Sequence, residues 1–390
     1  MRMISKFPIF IIDLNANAVD LDGAQIVGRI DMTRLNALFL ALISTALATP
    51  LFASDDRLVR TDRFVTLAGG DRLFVREVRP AEQQQAVSAV LLIHGARVPS
   101  LASFDLAVPG GSIAAELAAE GHSVYLLDLR GYGASSRPLE MDAPPGGGTP
   151  LMRTDEAVSD VAAAVEAVAE WSGDGKVSIL GWATGGQWAA AFAARHPGRV
   201  ERIILYNSLY GASDRHPTLG RGSPLEAPDR PGSLNMDALG AYRLNTAESL
   251  FAAWDKSIPV PDKSEWRDPA VARAYADMAL SSDPTSARRT PPSFRAPSGA
   301  MADSFELAFG RKQWNAAALT MPVLVIRSQR DFWSRPEDAA AIAREAPQAS
   351  LVELSDATHF VHLDRNEAGR SAFLSAVIQF LLPGLDHATR

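Results

Sequence analysis

The chain of 390 residues contains no cysteine. Disulfides, thiol nucleophiles and cysteine-bound metals are therefore excluded. A basic excess is also missing: 38 Lys and Arg stand against 45 Asp and Glu, a formal charge of -7. Nucleic acid is not an expected partner for so acidic a chain. No spacing of His, Asp and Glu resembles a metal site, and neither a metal nor an organic cofactor is expected. The apolar run Ala37 to Ala48 is too short to span a bilayer comfortably.

What is present describes a soluble, core-forming chain. Hydrophobic residues make up 47% and charged residues 21%, an ordinary globular balance with enough apolar material for a large core. The length allows two or three domains, or one α/β domain carrying insertions. Met32-Thr33-Arg34-Leu35-Asn36 is a short basic start to the apolar run, and Ala46-Leu47-Ala48 and Leu51-Phe52-Ala53 fit small-residue cleavage sites. This resembles a secretory signal peptide. The chain is expected to be exported, periplasmic or secreted, without stable membrane insertion once the leader is removed. Residues 1–31 form an upstream extension, as if translation starts at Met32.

Beyond the leader, short apolar runs alternate with helical patterns. Phe64 to Leu67 and Leu73 to Val78 flank Gly69-Gly70-Asp71, a hairpin signature. Ser88 to Ile93, Ser123 to Leu127, Val177 to Leu180 and Val200 to Tyr206 read as buried strands. Helices are expected over Ile113 to Glu120, over Thr154 to Trp171 with Thr154 as N-cap, and over Gln187 to Arg195. The alternation stops at residues 207–321, a stretch rich in Pro, Gly and Ser that also holds Trp254, Trp266 and Trp314. A disordered linker would hold few such aromatics, so this stretch reads as a helical cap inserted into one domain. Strand and helix return with Pro322 to Ile326, Pro336 to Arg344, Ser350 to Leu354 and Glu367 to Leu382. The alternation predicts an α/β fold: a mostly parallel central sheet with helices on both faces. The expected division is 1–53 extension and leader, 54–206 with 322–390 core, and 207–321 cap.

Four local features carry a resemblance. They are His94-Gly95 after a buried strand, Asp128 to Ser135 after the next strand, the turn Gly181-Trp182-Ala183-Thr184-Gly185-Gly186, and the late pair Asp331 and His359. Together, over roughly residues 62–383, they resemble a capped α/β-hydrolase. In that family the Gly-x-Ser-x-Gly turn carries the nucleophile, followed in the chain by an acid and a histidine base. Here the nucleophile position is Ala183, whose methyl group cannot attack a carbonyl.

The resemblance implies that Asp331 orients His359, and that the N–H groups of Ala96 and Thr184 form an oxyanion hole. Neither donor needs a serine. Asp338 and Asp356 are lesser alternatives for the acid, and His362 for the base. His94 and Asp128 to Ser135 read as structural. Trp182 reads as core, with a wall of the acyl pocket as its second reading.

Three readings of Ala183 stay open at this point. It could be an engineered replacement of a serine. It could be natural in an enzyme where His359 and Asp331 activate water directly, or where Thr184 or Ser208 attacks. It could mark an inert ligand-binding pseudoenzyme. The retained Asp331 and His359 favour hydrolase chemistry, because a pure binder has no chemical need of that pair. The expected activity is esterase-like, on a small and largely apolar ester, lactone or amide.

Overall fold

The computed structural model describes residues 57–82 and 86–382. The leader expected over Met32 to Ala53, with its cleavage sites, lies outside the described residues. Eight strands form the main sheet: β1 (Leu58–Thr66), β2 (Arg72–Pro80), β3 (Ala89–Ile93), β4 (Ser123–Asp128), β5 (Val177–Trp182), β6 (Val200–Tyr206), β9 (Val323–Arg330) and β10 (Ala349–Thr358). Their order is β1-β2-β4-β3-β5-β6-β9-β10. β2 pairs antiparallel with β1 and β4, and every other pairing is parallel.

Strand periodicity builds the core on both sheet faces. Leu91, Ile93 and Ile179 enter one apolar cluster, while Val90, Leu92 and Leu180 enter the other. Successive strand residues point to opposite faces, so a continuous apolar run is what a doubly covered strand requires. Helices α1 (Ser100–Phe104) and α2 (Ile113–Ala119) follow β3. Helices α3 (Thr154–Ser172) and α4 (Thr184–Arg195) flank β5. They cover the first cluster with Val161, Val165, Trp188 and Phe192, whereas Ile113 and Leu117 cover the second.

Between β6 and β9 the chain makes α5 (Met236–Leu239), β7 (Tyr242–Thr246), α6 (Ala247–Ser257), α7 (Pro269–Ser281), β8 (Ser293–Pro297) and α8 (Gly299–Ala308). The insertion expected to be helical also holds β7 and β8, which form their own antiparallel pair. The prolines around residue 297 hide β8 from a sequence reading. Proline is tolerated at the end of an edge strand, and in a two-stranded ribbon both strands are edges. Packing also changes before residue 321: Ala300, Trp314, Ala316, Leu319 and Met321 belong to the cluster of the main sheet. Helices α9 (Pro336–Glu345) and α10 (Arg370–Leu381) complete the described chain.

The start of α3 shows how the insertion is fastened. Thr154 is not the N-cap; that position falls to Arg153, whose N–H donates to Glu156 Oε2 at 2.9 Å. The Thr154 side chain is drawn elsewhere, because Asp303 of α8 accepts from both its N–H and its hydroxyl at 2.7 Å. Asp303 also pairs with Arg153 and is buried. Its negative charge sits at the positive end of α3. Asp303→Ala leaves these donors unmatched, and chemical denaturation should show a loss of about 2–3 kcal/mol, with a smaller loss for Asp303→Asn.

Candidate active site

The carboxyl ends of parallel strands are where an open α/β sheet accommodates ligands, near the point where the strand order reverses. β3 lies between β4 and β5 at such a reversal. Four strand ends supply the candidate residues. Gly95, Ala96 and Arg97 follow β3, Ala183 and Thr184 follow β5, Asp331 follows β9, and His359 follows β10. Ala96, Ala183, Thr184 and His359 line one cavity of about 400 Å³.

Ala183 occupies the tip of the strand-to-helix turn, at φ 52° and ψ -116°. A side chain at positive φ is strained by about 1–3 kcal/mol. The turn holds it there: the Ala183 N–H donates to Tyr206 O at 2.9 Å, and its carbonyl accepts from the N–H of Gly186 at 3.1 Å. The flanking glycines are required by close backbone. A β-carbon at Gly185 would overlap the carbonyl oxygens of Ile93 and His94, and one at Gly181 would lie 2.5 Å from Gly186 Cα. Helix α4 starts at Thr184, earlier than the Gln187 expected, so its positive end points at the site. Among the described residues, no protein acceptor meets the N–H of Ala96 or Thr184.

His359 Nδ1 bonds to Asp331 Oδ1 at 2.6 Å. Asp331 is saturated: it also accepts from the N–H groups of Trp333 and Ser334, both at 2.9 Å, and from the Ser334 hydroxyl. The bond at Nδ1 leaves Nε2 of His359 for proton exchange. The His359 carbonyl is held by Trp182 Nε1 at 3.1 Å and Asn207 Nδ2 at 3.2 Å. Its ring lies 5.3 Å from that of Trp182 and 4.8 Å from that of Phe332.

The alternatives sit elsewhere. Asp338 bonds Arg335 and the N–H groups of Gly211 and Ala212, and Asp356 bonds Arg330. His362 is fully buried against Trp182, 4.4 Å between rings, and burial holds its pKa well below the usual value. His94 is equally buried; its Nδ1 donates to Gly95 O at 2.7 Å and its Nε2 accepts from Leu129 N–H at 3.4 Å. It buttresses the loop that carries Ala96. Asp128 accepts from Ser100 and Ala134. The Ser208 hydroxyl bonds Tyr206 O at 3.3 Å behind the turn.

Several contributors escaped the sequence reading. Asn207 bridges β6, β9 and the His359 loop, accepting from Ser328 N–H at 2.8 Å and donating to Ser328 Oγ at 3.0 Å. It stands at φ 52°, a region asparagine tolerates better than most residues, and an asparagine directly after the apolar run ending at Tyr206 was the legible signal. Asp364 ties the His359 loop to the insertion, accepting from Thr358 Oγ1 at 2.6 Å and from Trp254 Nε1 of α6 at 2.7 Å. Burial raises its pKa to about 7.

Two predictions follow from this geometry. Gly185→Ala should cost more than about 3 kcal/mol in chemical denaturation, since the clash is with backbone that cannot step aside. Asp364 keeps its proton in the folded chain up to about pH 7, whereas the unfolded chain loses it near pH 4. Stability should therefore fall as pH rises through that window and level off above it. Asp364→Asn cannot ionise, so the slope of melting temperature against pH should flatten there.

The comparisons with known proteins agree with this architecture. A family model described as serine aminopeptidase, S33, matches residues 84–367. No curated protein sequence matches the chain. Among solved structures, an esterase from Rhodococcus sp. ECU1013 superposes with a TM-score of 0.53 at 19% identity, covering 82% of this chain and 98% of that one. The enol-lactonase from Burkholderia xenovorans LB400 gives 0.50 at 18% identity, with 82% and 99% covered. A meta-cleavage product hydrolase from Pseudomonas fluorescens IP01, solved as a serine-to-alanine mutant complexed with acetates, gives 0.52 at 17% identity, with 82% and 96% covered. At these identities the likeness establishes the fold.

Proposed function

This chain belongs to the serine aminopeptidase S33 family of α/β-hydrolases, and we propose that its cavity hydrolyses a small ester, lactone or amide without a side-chain nucleophile. One observation carries the reading: His359, bonded to Asp331 at 2.6 Å, lines one cavity with Ala183, Ala96 and Thr184. The esterase and the enol-lactonase carry ester and lactone chemistry in their names and share this fold.

In the proposed reaction His359 Nε2 takes a proton from water as the water oxygen attacks the carbonyl carbon. The methyl of Ala183 leaves free the space that a hydroxyl would fill. Asp331 stabilises the imidazolium. The developing oxyanion is met by the N–H groups of Ala96 and Thr184, each worth about 3 kcal/mol. Collapse of the tetrahedral species expels the leaving group, which takes the proton back from His359. Residues 207–321 act as a cap over this site. The leader-like segment adds an exported, periplasmic or secreted setting.

Ala183 favours a second reading, a binder without turnover. Assays on p-nitrophenyl acyl esters separate the two. Under the hydrolase reading, Ala183→Ser creates or raises esterase activity, with a gain that can approach the order of a million-fold by which loss of a nucleophile slows a triad. Any activity of the unmodified chain disappears in His359→Ala. No turnover of ester, amide or lactone by either protein, with a ligand that raises the melting temperature, establishes the binder instead.

A further inference from the structure

The wall of the cavity is apolar along Val98, Trp182, Met301 and Phe360, yet two guanidinium groups, Arg97 and Arg243, also line it. Arg97 follows Ala96 on the loop after β3, and Arg243 stands in β7 of the insertion. Arg97 Nε donates to Asn245 Oδ1 at 3.0 Å, and its Nη2 donates to the Ser249 carbonyl at 3.0 Å and the Ser249 hydroxyl at 2.8 Å. All three acceptors are neutral. Arg243 has less: its Nε is buried without a hydrogen-bond partner.

Three arginines that are buried elsewhere are each matched with an acid, whereas Arg97 and Arg243 are half-buried. Arg295 pairs with Asp283 at 2.9 Å, Arg335 with Asp338 at 2.7 Å, and Arg370 with Glu116 at 2.8 Å. Among the described residues Arg97 and Arg243 have no such partner, and Arg97 is a like charge acting on Arg243. The acid of the site, Asp331, is already filled by His359, Trp333 and Ser334. Burial lowers both guanidinium pKa values, that of Arg243 to about 10, so both are cationic at neutral pH. Two half-buried like charges on one cavity without a counterion are costly, and an anion bound in that cavity offsets the cost. The planar guanidinium fork suits a carboxylate.

We propose that Arg97 and Arg243 form an anion subsite that selects substrates carrying a carboxylate at the end of a short chain away from the bond to be cleaved. The proposal deepens the hydrolytic reading of the same cavity and rests on it for the word substrate. Half-esters of short dicarboxylic acids have the required shape. Their apolar chain follows Trp182 and Phe360, and their carboxylate meets the two arginines.

Calorimetric titration of the full chain with monoethyl glutarate and with diethyl glutarate, at neutral pH and fixed low salt, tests the subsite without requiring turnover. The monoester should bind at least about tenfold more tightly, the worth of one charge-assisted pair. Arg243→Met, which keeps the apolar stem, should abolish the preference, and Arg243→Lys should retain part of it. Equal affinities, no binding of either ester, or a preference that survives in Arg243→Met overturns the subsite. The comparison of two ligands on the unmodified chain holds even where a variant fails to fold. Ethanol release is followed separately in this chain and in Ala183→Ser. A binding preference without hydrolysis in either protein supports the subsite and overturns the hydrolytic reading; hydrolysis without a preference does the reverse.

Discussion

The contact of Gly185 with the carbonyls of Ile93 and His94 is the constraint on which the rest of the site depends. It brings the end of β5 against the end of β3 with no side chain between them. Thr184 and Ala96 line one cavity, on the two backbones that approach there. The same closeness forces the turn that puts Ala183 at φ 52°. A hydroxyl at that tip is not needed to keep the turn, so the geometry persists with a methyl group in place. The strain is met by packing and by backbone hydrogen bonds at Ala183, not by catalysis.

A second constraint orients the imidazole. Asp331 accepts from its own loop as well as from His359, so the carboxylate is fixed before it orients anything. His359 is in turn held by its carbonyl, through Trp182 and Asn207. Asp364 extends the network to Trp254 of the insertion. Core and insertion thus meet beside His359 through polar contacts buried in an aromatic setting, where Phe360 stacks on Trp254 at 4.8 Å. In such a setting an unmatched polar group is expensive, and this makes the unpartnered Nε of Arg243 in the cavity informative.

Much of the main sheet was legible because buried parallel strands are written as short apolar runs. β3, β5 and β6 fall where those runs lie. The turn at Ala183 was legible from its glycines, and Asp331 and His359 from chain order after strands. The insertion was harder to read. β8 lies among prolines, and α8 packs onto α3 through Asp303, a contact between residues about 150 positions apart. Thr154 misled for a related reason: a hydroxyl suited to capping its own helix was recruited by a distant carboxylate.

By itself the sequence determined the order along the chain of the strands of the main sheet, the acidic balance, the absence of thiol chemistry and the alanine at the turn. Each of these is local, set by residue type or by periodicities of a few positions. Only the tertiary structure decided that His359 meets Asp331 and not Asp338 or Asp356, that His362 is sealed in the core, and that Arg97 and Arg243 share a cavity without an acid. Those outcomes depend on distances between chain segments far apart in sequence. Burial, which changes the cost of a charge, exists only once the segments have packed.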